Sequence, residues 1–184
     1  MNGFPINKHT LKSSIYYSIS LIVSLLFLAC NDIDKTITKR WKDQVIEISD
    51  NLLAINIDTT ITDYSVEGKK AKVIVISDSY QCAPCQLRLL EWKKYINKYK
   101  DKVDFKFIVP TKNKYELMAY CVEIGFDYPL FVDIKNEYCN SELYPDNIRY
   151  RCFVLDKDNK VKMVGNPIHL SSKIDDFIKL LNSW

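Results

Sequence analysis

The sequence predicts an α/β fold, a central mixed β-sheet flanked by helices on both faces. Three observations carry that prediction. The unbroken β-branched run Val73-Ile74-Val75-Ile76 reads as a strand buried on both faces. At Cys82 the apolar spacing switches to steps of three and four, and the strand-then-helix order recurs once downstream. The last third adds a hairpin pattern and an amphipathic helix. The length of 184 residues allows one ordinary domain with a terminal extension, and four glycines with no repeat exclude solenoids and fibres.

Residues 1–29 read as a signal peptide. Lys8, His9 and Lys12 give a positive region, and Ile15 to Ala29 an apolar stretch. That stretch, roughly 15 residues, falls short of the ~20 that a spanning helix needs. No basic stop-transfer cluster follows. Leu26-Phe27-Leu28-Ala29-Cys30 resembles the bacterial lipobox, with Phe27 where leucine is usual. The resemblance makes Cys30 the lipidated first residue of the mature chain, held at a membrane by acyl chains at about 0.8 kcal/mol per buried CH₂. A plain secretory signal and an uncleaved anchor are the alternatives.

Residues 30–66 form a tether and N-terminal extension. Ile33, Ile37, Trp41 and Val45 suggest a short amphipathic helix, and residues 45–66, with Thr59, Thr60, Ile61 and Thr62, one or two edge strands with loops. The main domain occupies 67–184. Its first strand ends at Ser77 to Ser79, and Cys85, Leu89, Trp92, Ile96 and Tyr99 then form the buried stripe of one helix beginning at the cysteine pair. Val103 to Val109 is a strand closed by Pro110. Thr111 caps a helix with the stripe Tyr115, Met118, Ala119 and Val122, stopped at Gly125. Tyr128 to Val132 and Arg151 to Leu155 are short strands, and the turn Asp156 to Lys160 leads into Val161 to Val164 as a hairpin. Leu170, Ile174, Phe177 and Leu181 mark the last helix, capped by Ser171 or Ser172.

The formal charge of +3, from 26 basic and 23 acidic residues, is too small and scattered for a nucleic-acid footprint. Chemistry concentrates at Cys82-Ala83-Pro84-Cys85, between the buried strand and the helix. Unpaired N–H groups at a helix start favour a thiolate and bring a cysteine pKa from about 8.5 into a range of roughly 3.5 to 7.5. Cys82 is then the attacking sulfur and Cys85, one turn further in, the resolving one. Pro84 sits where a helical N–H has no partner anyway. A static disulfide and half of a zinc site compete with this reading. For zinc, Cys121, Cys139, Cys152 and His169 stand singly, without the short spacing of a ligand pair. Cys121 reads as core; Cys139 and Cys152 stay open between a second disulfide and a thiol near the first pair.

From about Lys70 to Val164 the chain resembles the thioredoxin-like reductases of the TlpA and redoxin type, especially envelope lipoproteins of the Bacteroidota. The matching features are the strand with Cys82-Ala83-Pro84-Cys85, Gly125-Phe126-Asp127-Tyr128-Pro129 leading to Asp133, and Cys152-Phe153-Val154-Leu155-Asp156 before Val161. The resemblance implies a thioredoxin-like domain over 67–184 in the cell envelope, periplasmic or on the outer membrane. It implies a thiol–disulfide oxidoreductase with no cofactor, acting on cysteine-containing envelope proteins and supplied by a thiol donor. The loop facing the substrate would comprise Tyr80, Gln81, Arg149 and Tyr150.

Three positions depart from the family. Gln81, beside Tyr80, replaces the tryptophan before the first cysteine. The buried acid of the strand would fall near Ile76, with Asp78 two residues on. Tyr150 stands at the cis-proline opposite the cysteines; since a cis bond before a non-proline residue costs about 2.5–4 kcal/mol, the peptide there is expected to be trans. These departures keep a second reading in play, a non-catalytic binding lipoprotein with a structural disulfide. A thiol peroxidase fits poorly. Its Pro-x-x-x-Thr-x-x-Cys pattern would put Asp78 and Cys82, or Val75 and Ser79, at the proline and threonine positions.

Overall fold

The computed structural model describes residues 19–21, 33–49, 52–55, 70–78, 82–110, 112 and 114–184. The chain divides into two compact units, Met1–Arg40 and Trp41–Trp184. The described part of the first is helical at 19–21 and again from 33, in a helix that ends at residue 41. Val45, expected on that helix, instead bridges to Lys160. Among the described residues no helix is long and apolar enough to cross a membrane. Apart from residues 19–21, the predicted signal peptide lies outside the described residues, as do Cys30, Thr111 and residues 56–69.

The second unit is built on a mixed six-stranded sheet in the order β1-β4-β3-β2-β5-β6. Its strands are β1 (Leu52–Ile55), β2 (Ala71–Ile76), β3 (Val103–Pro110), β4 (Leu130–Asp133), β5 (Cys152–Leu155) and β6 (Val161–Val164). The helices are α1 (Ala83–Leu87), α2 (Leu89–Tyr99), α3 (Lys114–Glu123) and α4 (Ile174–Asn182). β2, β3 and β4 are parallel, with Val73 opposite Phe105 and Phe107 opposite Leu130. β1 joins the β4 edge antiparallel, and β5 and β6 complete the other side as an antiparallel hairpin. All six residues of β2 are buried, as its β-branched run requires of a strand enclosed on both faces.

Alternation along the strands divides the interior in two. Val73, Val75, Phe105, Phe107, Val132 and Val154 share one cluster with the buried apolar residues of these four helices. Trp92 is its centre, fully buried and edge-on to Tyr95, Phe105, Phe107 and Phe177 at centroid distances of 5.8–6.3 Å. On the other face, Trp41 stacks on Tyr144 at 5.7 Å and both meet the Phe153 ring edge-on. The N-terminal segment of this unit is fastened to the hairpin. Asp43 and Ile46 donate to the Val161 and Asn159 carbonyls, and Val161 donates back to Gln44.

Three local expectations are corrected. The helix after the cysteines is two helices, because Arg88 adopts a left-handed backbone (φ 48°, ψ 47°) and donates its N–H to the Pro84 carbonyl. The Arg88 guanidinium holds that break through an ion pair with Glu91 and a 3.0 Å bond to the Ile168 carbonyl. In α3 the buried residues are Leu117 and Cys121, and Met118 of the expected stripe packs against the same cluster, while Tyr115, Ala119 and Val122 face solvent, so the inward face is shifted from that stripe. That helix nevertheless stops near Gly125, whose φ of +59° suits glycine. Ser171 and Ser172 do not cap α4; they form a 3₁₀ turn with Lys173 ahead of it.

Candidate active site

The parallel strands β2, β3 and β4 end at one rim of the sheet, the side where open α/β sheets place ligand crevices. The segments that gather there are Ser77–Asp78 after β2, the turn Cys82–Cys85, the 3₁₀ turn Ile148–Tyr150 before β5, and residues 165–170 after β6. Backbone bonds tie them together. Ile76 donates to the Arg151 carbonyl at 2.9 Å, and Asn166 to the Arg149 carbonyl at 2.7 Å. Asn166, itself buried, shapes the last loop by accepting the Ile168 N–H on its side chain. Gly165 allows the turn out of β6, since at its φ of +114° a Cβ would stand 3.1 Å from Leu170 Cδ1.

Cys82 and Cys85 form a disulfide, with their Cα atoms 5.3 Å apart. Cys82 is the N-cap of α1, and its sulfur accepts the Cys85 backbone N–H at 3.3 Å. Donation of an N–H to sulfur favours the thiolate over the thiol once the bond is reduced. Pro84 occupies the first turn, where the absent N–H costs nothing. Both cysteines are exposed, which differs from the buried stripe expected for Cys85. The break at Arg88 is the reason. It resets the helical phase, so that α1 buries Ala83, Gln86 and Leu87 while α2 buries Leu89, Trp92 and Ile96.

Behind the turn, Gln86 and Asp78 form a reciprocal pair. Gln86 Nε2 donates to Asp78 Oδ1 and the Asp78 N–H donates to Gln86 Oε1, both at 2.8 Å. His169 Nε2 donates to the Gln86 carbonyl at 2.7 Å. Asp78 therefore meets the cysteine turn through its neighbour Gln86. Gln86 and Asn166 were not evident in the sequence, because a polar residue within a short helix or a loop reads as solvated surface.

Tyr80 and Gln81 lie outside the described residues. Arg149 is exposed at the rim and Tyr150, at the end of its 3₁₀ turn, is buried. Among the described residues no peptide bond is cis. Among the described residues the remaining cysteines, Cys121, Cys139 and Cys152, are buried and free, so Cys139 and Cys152 do not pair. Burial pushes the Cys121 thiol up to about 11. Cys152 is raised by burial, and Cys139 by burial together with the charge and hydrogen bond of Asp133. Asp133 also accepts the N–H groups of Glu137, Tyr138 and Cys139 at 2.9 Å, fixing the loop that leaves β4.

No family model matches the sequence, and no curated protein sequence matches it. Solved structures do. A thioredoxin-like protein of Porphyromonas gingivalis superposes with a TM-score of 0.52 at 15% identity, over 77% of this chain and 92% of its own. A thiol:disulfide interchange protein of the thioredoxin family from Chlorobium tepidum gives 0.52 at 14% identity, over 75% and 98%. Peroxiredoxin Q of Xanthomonas campestris gives 0.53 at 13% identity, over 76% and 95%. Identities this low speak for the fold alone, and the neighbours include both disulfide-exchange proteins and a peroxiredoxin. With its mixed sheet, its helices and a Cys-x-x-Cys disulfide at the start of the helix after β2, this chain has the thioredoxin-like fold.

Proposed function

We propose that the protein is a thiol–disulfide oxidoreductase of the cell envelope, tethered by lipid on Cys30 and acting on cysteine-containing proteins. The observation that carries this is the exposed Cys82–Cys85 disulfide, with the Cys85 N–H directed at the Cys82 sulfur. In the reducing direction the Cys82 thiolate attacks a substrate disulfide, forming a mixed disulfide and expelling one substrate thiolate. Cys85 then loses its proton and attacks the Cys82 sulfur, expelling the second substrate thiolate. The substrate disulfide gains two electrons, the Cys82–Cys85 pair loses two, and an external thiol donor restores the pair.

The test is a redox titration of the full chain in detergent with thiol trapping. A potential between about −270 and −120 mV is expected, with Cys82 alkylated first. Cys121, Cys139 and Cys152 should stay unlabelled in the folded protein, since all three are buried and burial raises each thiol; at about 11, Cys121 is only roughly one part in a thousand thiolate at pH 8. A bond that resists reduction below about −300 mV would defeat the proposal. That result would favour the non-catalytic binding module, the reading supported by Tyr150 at the position of the family's proline. Oxidation of thiols by hydrogen peroxide through Cys82 would point to a peroxidase.

The tether rests on the tripartite pattern before Cys30 and has its own check. Radiolabelled palmitate should be incorporated by the chain in a bacterial host and not by Cys30→Ala. Equal labelling of the two would rule out the anchor.

A further inference from the structure

Gln86 follows Cys85 directly, and only 4% of it is exposed. A buried amide left without partners costs about 1–3 kcal/mol, so the partners it has are informative. Its side chain is held at both ends by Asp78, in the segment after β2, and its carbonyl by His169, in the loop after β6. The carbonyl is available because it lies in the last turn of α1, where intrahelical donors run out, and the chain breaks at Arg88 two residues later. Arg88 adds a second strut from the same turn to Ile168 in that loop.

We propose that Gln86 is a positioning residue that clamps the Cys82–Cys85 turn between these two segments and thereby sets how readily the pair is reduced. The proposal rests on the reading of the pair as an exchanging one. Reduction consumes two electrons and two protons, breaks the S–S bond and leaves two thiols that no longer have to stay at bonding distance. A turn held from both sides keeps those thiols at high effective concentration and favours closure. Releasing either side lets the turn relax after reduction, which favours the dithiol.

The experiment equilibrates the full chain, in detergent, with glutathione mixtures and traps the thiols. It compares wild type with Gln86→Leu, which loses both bonds to Asp78, and with His169→Ala, which frees the Gln86 carbonyl and leaves the Asp78 pair intact. Each variant should shift the equilibrium toward the dithiol by about fivefold to tenfold, a rise in potential of about 20–30 mV. Thermal unfolding of both redox forms provides the structural control. Loss of the clamp should lower the Tm of the oxidised form more than that of the reduced form. Folded variants with potentials within about twofold of wild type, or equal Tm losses in both forms, would overturn the clamp. The potential is read without turnover, so the two proposals fail separately. A shifted potential in a protein that never reduces insulin refutes the oxidoreductase and keeps the clamp. Insulin reduction by wild type with no shift in either variant refutes the clamp alone.

Discussion

Cys82→Ser should reduce insulin no faster than buffer, a loss of at least about a thousandfold if the wild type is an efficient reductase. The serine hydroxyl stays protonated at neutral pH, and the Cys85 N–H that meets the sulfur does too little to change that. Cys85, although exposed, is left with no internal thiol to resolve whatever mixed disulfide it forms. Cys85→Ser should behave differently. It retains the attack by Cys82 but cannot expel the second substrate thiolate, so a mixed disulfide accumulates and appears as a higher band on a non-reducing gel. Retention by Cys82→Ser of more than about a tenth of the rate would assign the attack to another thiol.

Trp92→Ala should give the largest loss of stability, about 3–5 kcal/mol. The indole is fully buried among Tyr95, Phe105, Phe107 and Phe177, so truncation opens a cavity under α2 and α4 against β3. The four edge-on contacts each contribute about 0.5–1.5 kcal/mol beyond the area they bury. Among the described residues the indole N–H finds no hydrogen-bond acceptor. Trp92→Phe should therefore cost less, about 1–2 kcal/mol, since it keeps a ring and removes an unsatisfied donor. Urea unfolding of the two variants at unchanged m-value checks both figures. A Phe variant as damaged as the Ala variant would mean that the volume of the indole, not its aromatic contacts, holds the cluster.

What could be read in the sequence was local. Val73 to Ile76, the Gly125 stop, the hairpin about Asp156 to Lys160 and the helical stripe from Leu89 each declare themselves within a few residues, by period or by turn chemistry. The break at Arg88 did not, because arginine has no preference for a left-handed backbone and the contacts that hold it come from Ile168 and Glu91. The phase of α3 was missed because Cys121, small and apolar, is one of its two buried anchors while Tyr115 and Val122 look apolar and are exposed. At the site, the cysteine pair was legible from its four letters and their place after a buried strand. The support behind it was not. Asp78 to Gln86 spans eight residues and Gln86 to His169 eighty-three, and neither pairing follows a periodicity.

The bonds from residues 43–46 to the hairpin have one more consequence. β6 is the terminal strand of the sheet, and a terminal strand presents its free N–H and C=O groups to any chain that can lie beside it. Here the N–H and carbonyl of Val161 are both occupied, by Gln44 and Asp43. The polypeptide that leads into the fold thus shuts that part of the flank against strand addition by a neighbour, a safeguard against self-association that matters most where many copies crowd together.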